Sequence, residues 1–277
     1  MNKIVSFIST DGLQLYGIYY SFGFRKSVIH VHGLAGNFYS STYHDQLIRT
    51  YKKLGYNYLS FNNRGSEYIK QLKNLQTSKS DFYGYTYEVF DESDCDILGA
   101  IQFLKDQNIE KIILQGHSSG CQKIIYTVNK HRLVLDHVVL LSPCDDVGLA
   151  LKHYSKNIFE GKIAYAKNSP TKLLPSNFFF DLPISTVTFL NYFGKSNNFD
   201  IFHYYQPEVS FDELELNHNN TLVIFGEHDH VLDFNVVKDV YNKLHNYTVS
   251  IISNSNHKYN QKEDCLAKII YNYVNQS

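Results

Sequence analysis

Five consecutive residues constrain this chain more than any others: Gly116-His117-Ser118-Ser119-Gly120, preceded by Lys111-Ile112-Ile113-Leu114-Gln115 and followed by Ile124-Ile125-Tyr126. An apolar β-branched run, a glycine-flanked serine and a second apolar stretch read as strand, sharp turn and helix. In such a turn the backbone at the apex is strained and lifts the serine hydroxyl above the sheet edge. Glycine on both sides lets strand and helix approach without a Cβ collision. A chain that makes this turn needs a sheet whose strands end at a common edge, with helices packed against it.

The rest of the sequence supplies them. Runs rich in β-branched and aromatic residues recur at Val5 to Ile8, Leu13 to Tyr20, Val28 to Val31, Tyr56 to Phe61, Lys111 to Leu114, His137 to Leu141, Thr221 to Phe225 and Thr248 to Ile252. They predict eight strands. The first two, joined by Thr10-Asp11-Gly12, alternate enough to form an antiparallel hairpin. Helical stretches fall between the later ones, at about Thr42 to Leu54, Glu88 to Gln107, Ser119 to Lys130, Asn235 to His245 and Gln261 to Asn275. Alternation of strand and helix predicts an α/β fold with a mostly parallel eight-stranded sheet and helices on both faces.

Regularity breaks between Asp145 and Asn220, where Pro170, Pro175, Pro183 and Pro207 interrupt an aromatic segment containing Phe178-Phe179-Phe180 and Phe189-Leu190-Asn191-Tyr192-Phe193. A connection this long is usually functional. Residues 1–144 and 221–277 are therefore expected to form the core, with 145–220 inserted as a lid whose aromatic clusters line an apolar pocket.

Composition narrows the function class. A formal net charge of −1 leaves no electrostatic footprint for nucleic acid or an anionic membrane. No uncharged apolar stretch is long enough to span a bilayer, and the first residues read as a strand rather than a signal peptide. Cys95, Cys121, Cys144 and Cys265 are scattered, without spacing for zinc or a disulfide framework. Reduced thiols in a cytoplasmic setting are expected, with no cofactor and no metal. The expected partner is a small-molecule ester; oligomeric state is left open.

A serine hydroxyl becomes a nucleophile when an imidazole takes its proton, and the imidazole needs a carboxylate to hold its tautomer and stabilise its charge. On a sheet with this turn the three arrive in chain order serine, acid, histidine, each after a strand. Asp229 follows Thr221 to Phe225 and is the expected acid; His257 follows Thr248 to Ile252 and is the expected base. Glu227, Asp233, Asp145 and Asp146 are rival acids. The cluster His228-Asp229-His230 could be read as metal ligands, but side chains alternate in an extended segment and no second cluster completes a site. An oxyanion also needs two donors, expected to be the backbone N–H groups of Ser119 and Leu34. The second lies in His30-Val31-His32-Gly33-Leu34-Ala35-Gly36-Asn37, where Gly33 permits the tight turn. Asn62-Asn63-Arg64-Gly65 reads as a structural turn whose Arg64 ties loops together.

With His32-Gly33, Arg64-Gly65, Gly116-His117-Ser118-Ser119-Gly120, Gly226-x-x-Asp229 and His257 in register, the chain resembles the α/β-hydrolase superfamily over almost its whole length. The resemblance implies a serine hydrolase working through an acyl-enzyme. The extended elbow, Gly116 to Gln122, looks like that of a group including fungal siderophore esterases, which cleave ester bonds of ferric hydroxamate siderophores. This chain departs from them at Ser119, where they usually have Thr, and at His32-Gly33, where they have a Gly-Gly type of turn. The expected activity is carboxylic-ester hydrolysis, with thioester or small-amide hydrolysis and a non-catalytic binding protein as alternatives.

Overall fold

Adjacent residues of one strand point to opposite faces, and in this chain both faces are apolar, so the sheet has to be covered twice. Residues 2–169, 172–195, 197–206, 209–229 and 234–276 are described in the computed structural model. Their strands are β1 (Asn2–Ile8), β2 (Gln14–Tyr20), β3 (Lys26–Val31), β4 (Asn57–Asn62), β5 (Lys70–Lys73), β6 (Ser80–Tyr83), β7 (Lys111–His117), β8 (His137–Leu141), β9 (Thr221–Gly226) and β10 (Tyr247–Ile252). Their helices are α1 (His44–Lys53), α2 (Ser93–Asp106), α3 (Gly120–His131), α4 (Asp146–Tyr154), α5 (Lys156–Asn168), α6 (Thr186–Phe193), α7 (Asp212–Leu216), α8 (Phe234–Tyr241) and α9 (Glu263–Gln276).

Eight strands join in the order β1-β2-β4-β3-β7-β8-β9-β10. The pairs β1/β2 and β2/β4 are antiparallel and the rest parallel, as the alternation of strand and helix predicts. Ile29, Val31, Leu114, Val138, Leu140 and Val223 face α2, α3 and α8. Their neighbours Val28, Ile113, Val139, Leu141, Leu222 and Ile224 face α1 and α9. Among the described residues no helix is long and apolar enough to cross a membrane.

Two details depart from the sequence expectation. The hairpin β5/β6 went unpredicted because its strands are mostly polar and exposed, leaving no buried alternation to read. Helix α2 starts at Ser93 rather than Glu88. Two short 3₁₀ turns, Tyr85–Tyr87 and Phe90–Glu92, precede it, and Glu88 between them is extended, its carboxylate bonded to Lys123 and Tyr192.

The segment between β8 and β9 carries α4 to α7, and its aromatic rings form one continuous apolar cluster with the residues under the sheet. The ring of Phe179 lies tilted against that of Phe193 with centroids 4.4 Å apart, and Phe178 and Phe179 lie 5.2 and 5.3 Å from Phe189. Phe159 closes the group against Phe193. These rings are buried against one another, so Phe179 and Phe193 hold the segment together where a pocket lining was expected. Phe179→Ala is expected to destabilise the protein by about 3–5 kcal/mol in urea unfolding, the usual cost of emptying a buried phenylalanine site. The segment is tied to the 3₁₀ turns by Ser185 N–H to Thr86 O (2.9 Å), Thr86 Oγ1 to Pro183 O (2.9 Å) and Phe90 N–H to Asn191 Oδ1 (2.6 Å). Pro170 and Pro207 lie outside the described residues.

Candidate active site

At the end of β7 the chain reverses into α3 through Ser118, whose φ of 55° is left-handed. For a residue with a Cβ this conformation costs roughly 1–2 kcal/mol. Ser118 N–H bonds Leu141 O and Cys121 N–H bonds Ser118 O, each at 2.9 Å, which holds the turn from both sides. A Cβ on Gly116 would stand 2.8 Å from the Gly120 carbonyl carbon, and one on Gly120 would run into Val31 O, so both flanking glycines are required by contact. Cys144 Sγ lies 3.7 Å from Ser118 Oγ.

Asp229 and His257 meet across the ends of β9 and β10. His257 Nδ1 is 3.0 Å from Asp229 Oδ1 and 2.9 Å from Oδ2, and the carboxylate is buried. Nδ1–H therefore donates to the carboxylate. The two loops are locked together by Glu227 N–H to Ile252 O (3.0 Å) and His228 N–H to Ser255 O (2.8 Å). Gly226 makes their crossing possible, since a Cβ there would stand 2.6 Å from Ser255 O. His117, to which sequence reasoning assigned no chemistry, has a structural task. Its Nε2–H donates to His257 O at 2.8 Å and its ring lies 4.8 Å from that of His257. Burial lowers its pKa to about 3, with the neighbouring His257 acting in the same direction, so it stays a neutral link between the serine turn and the histidine loop.

The loop after β3 lies against the serine: a Cβ on Gly33 would stand 2.8 Å from Ser118 Cβ. Gly33 O accepts from Gly36 N–H at 3.1 Å and from His32 Nδ1–H at 2.8 Å, while His32 Nε2 accepts from Asn63 N–H at 3.2 Å, which settles the tautomer. In a trans peptide C=O and N–H point in opposite directions, so anchoring the Gly33 carbonyl also aims the Leu34 amide. Among the described residues neither Leu34 N–H nor Ser119 N–H donates to a protein acceptor.

Behind this loop lies a buried network that the sequence did not reveal. Lys123 Nζ is 2.5 Å from Glu88 Oε1 and 3.3 Å from Asn63 Oδ1, and both charged side chains are almost fully enclosed. Tyr192 of α6 donates to Glu88 Oε2 at 2.5 Å, and Lys70 Nζ donates to Asn63 O at 2.7 Å. The inserted segment is thus connected through Glu88, Lys123 and Asn63 to His32. A lysine in the middle of a helix reads in sequence as a solvated side chain, and no local signal marks Lys123 as buried.

Arg64 is the structural tie expected of it. Its guanidinium bonds Asp96 (2.8 Å), Glu92 (2.6 Å) and Asp11 (2.9 Å), and its backbone N–H bonds Asp96 at 2.7 Å. The rival acids have other partners. Asp145 caps α4 through Gly148 N–H at 2.6 Å and accepts from Tyr205 N–H at 2.9 Å. Burial raises its pKa to about 7. Glu227 accepts from Asn254 N–H, and Asp146 accepts from Gln122 Nε2 at 2.6 Å. His230 and Asp233 lie outside the described residues. Among those described, no group of three or more His, Cys, Asp or Glu side chains is arranged to hold a metal ion.

A parallel sheet with this turn, a carboxylate-bonded histidine after the last strand and a glycine turn beside the serine define an α/β-hydrolase-fold protein. Solved structures share the architecture at low sequence identity. The siderophore hydrolase EstB from Aspergillus fumigatus matches with a TM-score of 0.69 and 16% identity, covering 95% of this chain and 94% of that one. Est1E from Butyrivibrio proteoclasticus, solved with ferulic acid, matches with 0.66 and 14%, covering 98% of each chain. An esterase from Pyrococcus furiosus matches with 0.66 and 18%, covering 100% of this chain and 91% of its own. A comparison with curated protein sequences finds no match. The chain belongs to the family described as protein of unknown function (DUF1749), whose model matches residues 15–269.

Proposed function

We propose that this protein is a serine hydrolase that cleaves a carboxylic ester of a small molecule, without a cofactor. The observation that carries the reading is the Asp229–His257 pair, linked by His117 to the strained turn that presents Ser118. His257 Nε2 accepts the Ser118 proton as Oγ attacks the ester carbonyl carbon. Negative charge moves onto the carbonyl oxygen, where the N–H groups of Leu34 and Ser119 stabilise it. Collapse of the intermediate breaks the ester C–O bond; His257 returns its proton to the leaving alkoxide, and the acyl group stays on Ser118. Water, deprotonated by His257, then releases the acid and restores the serine.

The esterases and the siderophore hydrolase that share the fold support an ester substrate. In this reading 1–144 and 221–277 form the catalytic core and 145–220 a lid, and the free cysteines fit a cytoplasmic setting. A fluorophosphonate probe tests it directly: one equivalent should add to Ser118, found by mass spectrometry of the labelled peptide, and the Ser118→Ala variant should take up none. EDTA should leave both labelling and ester turnover unchanged, because proton transfer and backbone dipoles supply the catalysis. Loss of turnover on chelation would restore His228-Asp229-His230 as metal ligands.

A further inference from the structure

We infer that Asp146 and Gln122 form a cation subsite beside Ser118, so that the preferred ester carries a protonated amine near its scissile carbonyl. This deepens the hydrolase reading and rests on it.

The two residues reach the reaction centre through Cys144. Gln122 Nε2 donates to Cys144 O at 2.9 Å and to Asp146 Oδ2 at 2.6 Å, and the Cys144 thiol touches the Ser118 hydroxyl. Two acceptors face the nitrogen end of that amide, so the opposite flip would set carbonyl against carbonyl and carboxylate. The assigned orientation is the satisfied one. It leaves Gln122 Oε1 without a partner, in a side chain 1% exposed. A buried amide oxygen left unpaired costs about 1–3 kcal/mol unless a donor arrives.

Asp146 presents the second acceptor. Its Oδ2 is bonded to Gln122, and among the described residues it has no ion-pair partner, while its neighbour Asp145 is occupied with backbone amides. The Gln122 hydrogen bond and, after it, His257 favour the ionised form of Asp146, while Asp200 adds like charge. Burial raises the Asp146 pKa to about 6, leaving it largely ionised near neutrality and poorly compensated. The hydroxyl of Tyr85, also buried, has no partner either, and Asp146 is the charged group acting on it most strongly. A carboxylate and an unpaired amide oxygen on two hydrogen-bonded residues suit an ammonium, which brings one charge and three donors. A neutral alkyl group in the same place would leave these acceptors unsatisfied.

The test compares matched esters at pH 7. One pair places the charge on the acyl side, 4-nitrophenyl 3-aminopropanoate against butanoate; the other places it on the alcohol side, 2-aminoethyl against propyl acetate. After division by uncatalysed rates, kcat/KM should favour the ammonium member of at least one pair by about 10-fold or more, the usual range for a hydrogen bond to a charged group. Asp146→Asn should cut that ratio by about 10- to 100-fold, Asp146→Glu should restore part of it, and Gln122→Leu should lower it as well. No preference in either pair with the wild type overturns the subsite, whether or not the variants fold. So does a preference that survives Asp146→Asn. Failure of fluorophosphonate to label Ser118 would instead remove the hydrolase reading, and the subsite with it; labelling with an unchanged ratio removes the subsite alone.

Discussion

Ser118→Ala is expected to lower ester turnover by at least ~10³-fold while the protein unfolds at an unchanged denaturant midpoint, because the substitution removes the nucleophile and keeps the Cβ. The left-handed turn imposes the same backbone strain on alanine as on serine, and the bonds that hold it, Ser118 N–H to Leu141 O and Cys121 N–H to Ser118 O, use only main-chain atoms. Ser119→Ala should have a far smaller effect, since Ser119 is to contribute its backbone amide alone. Rates on an activated ester, measured for both variants beside a denaturation curve, check the assignment. Comparable losses in the two, or an unaffected Ser118 variant, would refute it.

Asp229→Asn should cost about 10⁴ in kcat, the penalty known when an asparagine favours the wrong imidazole tautomer in a protease triad. Here the carboxylate accepts from His257 Nδ1 through both oxygens, which an amide cannot reproduce. Asp145→Asn should act differently. Asp145 accepts from Gly148 N–H and Tyr205 N–H, so its loss should appear as a lower unfolding midpoint with kcat largely retained. Glu227→Gln, at a surface carboxylate bonded to Asn254 N–H, should change little. If Asp145→Asn proved the variant with the large kcat defect, the working acid would follow β8 rather than β9.

Much of this architecture is written in local pattern. Each of the eight sheet strands carries its own apolar run, and each chemistry-bearing loop follows one, so strand and turn signals are enough to bring the loops of Gly33, Ser118, Asp229 and His257 to one edge of the sheet. The hairpin β5/β6 escapes this logic because it buries almost nothing. The aromatic segment shows a different limit. Its composition announces burial, but whether Phe179 and Phe193 face a cavity or one another depends on how α5 and α6 pack, and they face one another.

The sequence by itself determined the sheet, the strained serine turn and the strand-end loops that carry Ser118, Asp229 and His257, since each of these elements depends on residues close together in the chain. Only the tertiary structure decided which polar side chains are buried and with whom. Lys123 meets Glu88 from 35 positions away and Tyr192 joins them from the inserted segment. Gln122 finds Asp146 across the end of β8, and His117 holds the carbonyl of His257. A lone polar residue in a helix or turn looks the same in sequence whether it ends in water or in an enclosed network. Its partner is chosen by the packing of distant elements, because each buried polar atom left without one costs about 1–3 kcal/mol.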